Sequence, residues 1–138
     1  MKVLIDTNII LDLALIRKPF YQEADEIFTF IEQGKITAFI SATTFTDIYY
    51  ILRKQKGKYW TFEFLQRLSA LCKINPITEE VIIKAINNSY KDFEDDIQYY
   101  SAIINNLNVI VTRNIKDFPK DNITILQPEE LIFILTEQ

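Results

Sequence analysis

Near its start the chain reads Val3-Leu4-Ile5-Asp6-Thr7-Asn8-Ile9-Ile10-Leu11, two apolar runs parted by an acid, a hydroxyl and an amide. The branched run Val3-Leu4-Ile5 reads as a fully buried strand, and the run from Ile9 as the opening of a helix. Asp6 then stands at the tip of a buried strand, where a charge is costly unless something offsets it. A helix N-terminus can supply the offset, and so can a metal ion.

Outward from that stretch, strand and helix patterns alternate. From Ile9, the apolar positions 9, 10, 13 and 16 keep helical spacing, and Pro19 ends that helix or begins the next. A second helix runs through Ala24, Ile27, Phe28 and Ile31 and closes at Gly34. Thr37 to Ile40 is a short strand, followed by a helix through Phe45, Ile48, Tyr49 and Leu52 that Gly57 breaks. Further helices are expected over Trp60–Leu71, Glu79 to about Tyr90 and Phe93–Asn106, with strands at Lys73–Ile77, Val109–Thr112 and Ile123–Leu126. The last helix begins at Pro128, with Glu129 and Glu130 at its positive end. This alternation predicts one α/β domain over residues 1–138, three layers deep, with a mainly parallel central sheet. Sites in such sheets form at the carboxyl ends of strands, where Asp6 and Thr112 fall.

Composition narrows the chemistry. Of 138 residues, 49% are hydrophobic, enough for a sizeable core, and no apolar run reaches the length of a membrane span. The first residues lack a basic region plus cleavage site, and Cys72 has no internal disulfide partner, so a cytoplasmic protein is expected. There is no histidine, which removes Ser-His-Asp and Cys-His hydrolases and ordinary zinc sites. Only two glycines are present, Gly34 and Gly57, too few and too far apart for a phosphate-cradling loop. Carboxylates without histidine suit hard ions such as Mg²⁺ or Mn²⁺. The net charge of −4 is not the footprint of a nucleic-acid binder as a whole, but it is compatible with acids awaiting a cation.

The candidate acids are Asp6, Asp47, Asp95 and Asp117. Each has an ordinary structural use. Asp6 can cap its helix, Asp47 can close a capping box with Thr44, Asp95 can do so with Asp92, and Asp117 sits in the turn Lys116-Asp117-Phe118-Pro119. Parallel topology, however, brings all four to one rim. Crowded carboxylates repel there by about 1–4 kcal/mol per close pair, a penalty that a divalent ion removes. Such an ion also activates water and clamps a phosphate.

The order of Asp6-Thr7-Asn8 after a first strand, the helix start Ser41-Ala42-Thr43-Thr44-Phe45-Thr46-Asp47, then FEDDIQYYSAIINN from Phe93 and VIVTRNIKDFP from Val109 resembles the PIN-domain family. It is especially similar to the VapC-type ribonuclease toxins. The likeness runs to the ILQPEEL ending, and its most specific part is Asp92 to Pro119. The resemblance implies Mg²⁺ or Mn²⁺ held by acids matching Asp6, Asp47 and Asp95, and cleavage of RNA. Thr7 and Asn8 support the first acid, and Thr112 is a hydroxyl lining the site. A fourth position falls on Asp117 or Asn114. Two features depart from the family: Asp47 stands where a glutamate is usual, and Asn114 is neutral while Asp117 lies three residues further on. Asp96 adjoins Asp95, and the resemblance selects Asp95.

Arg53, Lys54, Lys56 and Lys58 form the only dense basic run, beside Tyr59 and Trp60. The run reads first as a solvated helix end, with Tyr59 and Trp60 anchoring the next helix, and second as a site for RNA phosphates and bases. Arg113, next to Thr112, is the better-placed phosphate candidate. The resemblance also implies a small antitoxin partner and a homodimer, for which aromatics on the middle helices offer surface.

The leading expectation is a metal-dependent endoribonuclease, the toxin of a toxin–antitoxin pair. The alternative is a non-catalytic PIN fold that binds RNA or protein. A phosphatase using Asp6 as covalent nucleophile would need a second aspartate two residues on, where Asn8 stands.

Overall fold

The structure is a computed structural model that describes residues 1–137. Its strands are β1 (Lys2–Ile5), β2 (Thr37–Ser41), β3 (Lys73–Asn75), β4 (Val109–Val111) and β5 (Thr124–Leu126). The helices are α1 (Thr7–Ala14), α2 (Tyr21–Glu32), α3 (Ala42–Lys56), α4 (Lys58–Leu71), α5 (Glu79–Asn87), α6 (Phe93–Ile104) and α7 (Pro128–Thr136), with a 3₁₀ turn over Ile115–Asp117. All five strands are parallel, in the order β3-β2-β1-β4-β5.

The pleat explains the three layers. In β1, Val3 and Ile5 pack into a core shared with α1, α2, α3, α4 and α7, while Leu4 faces the opposite core with Tyr99 and Ala102 of α6. β4 repeats the pattern, with Val109 and Val111 on the first side and Ile110 on the second. Strands buried on both faces must be apolar at consecutive positions, which is why the run Val3-Leu4-Ile5 does not alternate with polar residues. Each of these strand side chains is buried, and removing one from water contributes about 1.5–3 kcal/mol.

Several boundaries differ from the sequence-based expectations. β3 stops at Asn75 because Pro76 has no N–H to extend the ladder. α5 ends at Asn87, short of Tyr90, with the Asn88 side chain donating to the Lys84 carbonyl at 2.9 Å. α4 starts at Lys58, directly after Gly57, whose φ of 86° separates it from α3. No helix among the described residues is long and apolar enough to cross a membrane.

The strand order puts β1 in the centre, with β2 on one side and β4 on the other. The chain leaves β1 toward β2 and returns, after β3, to β4. The carboxyl ends of β1 and β4 therefore flank the point where the connections diverge, and a crevice opens there.

Candidate active site

Asp6 is the residue that follows β1. Its N–H donates to the Val111 carbonyl at 3.1 Å, so the sheet ladder itself holds it at the crevice. It occupies the N-cap position of α1, yet its side chain makes no capping bond. Instead the carboxylate accepts from Gln98 Nε2 at 3.0 Å and from Thr112 Oγ1 at 2.8 Å. Burial raises the Asp6 pKa, and these two hydrogen bonds oppose the rise. Thr112 Oγ1 also accepts from the Asn114 N–H at 3.0 Å, which fixes the start of the loop after β4. Gln98 is anchored in turn: Asn75 Nδ2 donates to Ser101 Oγ at 2.9 Å, and Ser101 Oγ donates to the Gln98 carbonyl at 2.8 Å. Thr112, expected as a hydroxyl lining the site, is fully buried and acts from behind Asp6 instead of lining the cleft. Gln98 was not foreseen, because its partner lies 92 residues away in sequence.

The remaining wall comes from α3 and α6. Asp6, Thr7, Asn8, Asp47, Glu94 and Asp95 line one open cleft of about 390 Å³, with Leu11, Tyr50 and Ile51 at its apolar side. Asp92 caps α6, its side chain accepting from the Asp95 N–H at 3.2 Å. That leaves the Asp95 carboxyl free of the cap and turned to the cleft. Asp96 goes elsewhere: it is buried and accepts from the Tyr90 N–H at 3.1 Å. Thr44 forms no capping box with Asp47; its hydroxyl lies 2.9 Å from the Thr7 hydroxyl, which also reaches Glu94 Oε1 at 3.4 Å.

The cleft is strongly acidic. Burial, then the charges of Asp6, Asp92, Glu94 and Asp117, push Asp95 up to about 7. Glu94 is likewise pushed up to about 7, by burial first, then by the charge of Asp47 and a hydrogen bond with it, then by Asp6 and Asp92. That bond requires one of the two carboxyls to carry a proton. With both ionised there is no donor, and Asp47 Oδ2 is buried without a hydrogen-bond partner. Every neighbouring charge that acts on Glu94 or Asp95 is an acid.

Three of the four expected acids thus meet at one cleft. Asp117, half-buried in the 3₁₀ turn, does not line it, though its charge reaches Asp95. Asn114 is exposed. Glu94 joins the wall without having been singled out in the sequence, where a glutamate in the first turn of a helix looks ordinary. Arg113 needs correction as a phosphate candidate. Its guanidinium is bound to Asp12, with Nε at 2.7 Å and Nη2 at 3.2 Å, and lies 3.8 Å over the Phe20 ring. Arg53, Lys54 and Lys56 are exposed at the far end of α3, and Lys56 covers Trp60 at 5.5 Å. Of the three, Lys54 continues the cleft-lining row Asp47, Tyr50, Ile51, about 10 Å along the axis from Asp47.

The donor set suits a hard divalent ion: every polar group on the wall is a carboxylate, hydroxyl or amide, and one buried carboxylate oxygen lacks a partner. Among the described residues no three acidic side chains already surround one point as a formed metal site. Half-buried side chains such as Glu94 and Asp95 would have to draw together about a bound ion.

The sequence pattern of the PIN domain (PIN_3) matches residues 2–116. No curated protein matches the chain. Among solved structures, it is similar to a toxin–antitoxin complex from Klebsiella pneumoniae, at 22% identity and TM-score 0.69 over 91% of this chain and 97% of that one. It is also similar to DNA-bound VapBC from Salmonella typhimurium, at 16% identity and TM-score 0.68 over 93% and 98%. A third is VapC20 from Mycobacterium tuberculosis, a sarcin–ricin loop cleaving toxin, at 12% identity and TM-score 0.61 over 78% and 86%. At these identities the likeness is one of fold.

Proposed function

This chain belongs to the PIN-domain family, and from that premise we propose that it is a Mg²⁺- or Mn²⁺-dependent endoribonuclease, the toxin half of a toxin–antitoxin pair. One observation carries the reading above all. Asp6, Asp47, Glu94 and Asp95 share a cleft in which none of them has an ion pair among the described residues; the one cation that acts on Asp6, Arg113, is bound to Asp12, although the chain has 15 lysines and arginines to place. A fold that needed these acids only for structure would pair them.

Asp6 and Asp95 would hold the ion from the β1 and α6 sides, with Asp47 opposite on α3 and Asp117 acting from the edge. When bound, it supplies an activated water and offsets the charge of the scissile phosphate. The side chains do the rest. Gln98 and Thr112 keep the Asp6 carboxylate in one orientation, and Thr7 ties the α1 start to α3 and α6. Tyr50, 60% exposed at the cleft, offers a ring face to a base, and Lys54 offers its charge to a neighbouring phosphate. No side-chain nucleophile is required, in agreement with the absence of histidine.

The antitoxin assignment draws support from the toxin–antitoxin complexes that share the fold and from the exposed aromatic face of α3 and α4, which carries Tyr50, Tyr59, Trp60 and Phe62. The shortened second acid favours the rival reading, a PIN fold that binds RNA without cutting it. One assay separates them: cleavage of RNA in Mn²⁺ by the wild type and by Asp6→Asn. Loss of about a hundredfold or more in the variant supports the nuclease. Equal cleavage by both proteins, or none by either, contradicts it.

A further inference from the structure

We propose that Glu94 of α6, rather than Asp47 of α3, is the carboxylate that meets the divalent ion on the α3 side of the cleft, with Asp47 behind it as a positioning residue. The inference rests on the metal-dependent reading above. It begins from a deficit in length. Asp47 stands where the family resemblance calls for a glutamate, so its carboxyl falls short by one methylene, about 1.5 Å of reach. Its Oδ2 is buried and unpartnered.

Glu94 supplies the missing length from the opposite helix. It is the second residue of α6 and lines the same cleft as Asp47, whose charge acts on it there. Thr7 Oγ1 donates to its Oε1 at 3.4 Å, and Thr7 is itself held 2.9 Å from the Thr44 hydroxyl of α3. The side chain is therefore steadied from α1 and α3 at once. Consecutive residues on a helix point about 100° apart, so Glu94 and Asp95 present two carboxylates to the cleft from one turn. A glutamate needed only to complement the helix dipole would gain that benefit in water. Here it is held half-buried beside three other acids.

Calorimetric titration of Mn²⁺ into the metal-free full chain tests the assignment, using wild type, Glu94→Gln, Asp47→Asn and the double variant Asp47→Glu/Glu94→Gln. Mn²⁺ affinity should fall by more than about tenfold in Glu94→Gln and by less in Asp47→Asn. The double variant, which returns the missing methylene to α3, should regain most of the loss. Metal-free Glu94→Gln should melt at or above the wild-type temperature, since it removes a charge that Asp47, Asp6 and Asp92 repel; a weakened titration then does not reflect unfolding. Wild-type affinity in Glu94→Gln, or equal losses in both single variants without rescue, overturns the proposal while leaving the metal-dependent reading intact. A wild type that binds no Mn²⁺ overturns both.

Discussion

Two acids less than two turns apart, Asp6 at the N-cap of α1 and Asp12 within it, live in opposite circumstances. Asp12 is 1% exposed and paired: Arg113 grips both its oxygens, and Arg17 approaches at 3.8 Å. Asp6 is 4% exposed and takes its side-chain hydrogen bonds from the neutral donors Gln98 and Thr112, while Arg113, bound to Asp12, acts on it only through its charge. Beyond it stand Asp47, Glu94 and Asp95. A buried charge that has its own cation is part of the scaffold. Buried or half-buried charges left without one make a site that is incomplete until a cation arrives. The Asp12–Arg113 pair also ties α1 to the loop after β4, the loop whose first residue, Thr112, orients Asp6. The paired acid thus helps to frame the unpaired one.

Exchanging the two fates gives the largest expected effects. Asp6→Asn should abolish cleavage, by about a hundredfold or more, yet leave thermal stability unchanged or higher, because a buried charge has been removed. Asp12→Ala should do the reverse. It strands Arg113 against Phe20 and should cost about 2–3 kcal/mol by chemical denaturation, at the low end for a broken buried pair because Arg113 keeps 22% of its surface in water. An Asp12→Ala protein as stable as the wild type would erase the contrast.

Gln98→Leu is the next probe. It removes a donor to Asp6 but no carboxylate, so it should lower Mn²⁺ affinity by about tenfold, as loss of a ligand's orienting partner does. An unchanged affinity would mean that Thr112 alone orients Asp6.

The smallest effect is a pH slope. In the metal-free folded protein Glu94 and Asp95 hold their protons up to about 7, against ordinary values of 4.5 and 3.8. The folded state binds the extra protons, so these groups favour folding at low pH, and that advantage is lost as pH rises through about 7. The melting temperature should therefore be higher at pH 5 than at pH 8, and the slope should shrink in Asp95→Asn. A melting temperature that rises over that interval would contradict the cleft electrostatics.

The apolar runs at Val3–Ile5 and Val109–Val111 carried the fold legibly, because strands buried on both faces have no solvent side to encode. Asp6 was legible because it interrupts such a run. Asp95 was legible only through its segment's resemblance to a family, since Asp92, Glu94 and Asp96 crowd the same helix turn. Side-chain pairings across the sheet were not. Arg113 lies 101 residues from Asp12, and nothing local marks it as spent on an ion pair. Asp12 drew no reading in the sequence, where nothing beside it in the first helix marks an ion pair. Glu94 was hidden by its ordinariness, and Asp117 was drawn toward the site by its family position when its turn holds it at the edge.

The central claim is that the cleft acids lack a cation that the rest of the molecule does not supply. Thermal melting of the metal-free protein at pH 8, with and without excess Mn²⁺, tests it most directly. The account predicts a rise in Tm for the wild type and for a Lys120→Ala control, and none for a protein carrying both Asp6→Asn and Asp95→Asn. An unchanged wild-type Tm under saturating Mn²⁺, or an equal rise in the double variant, would contradict it.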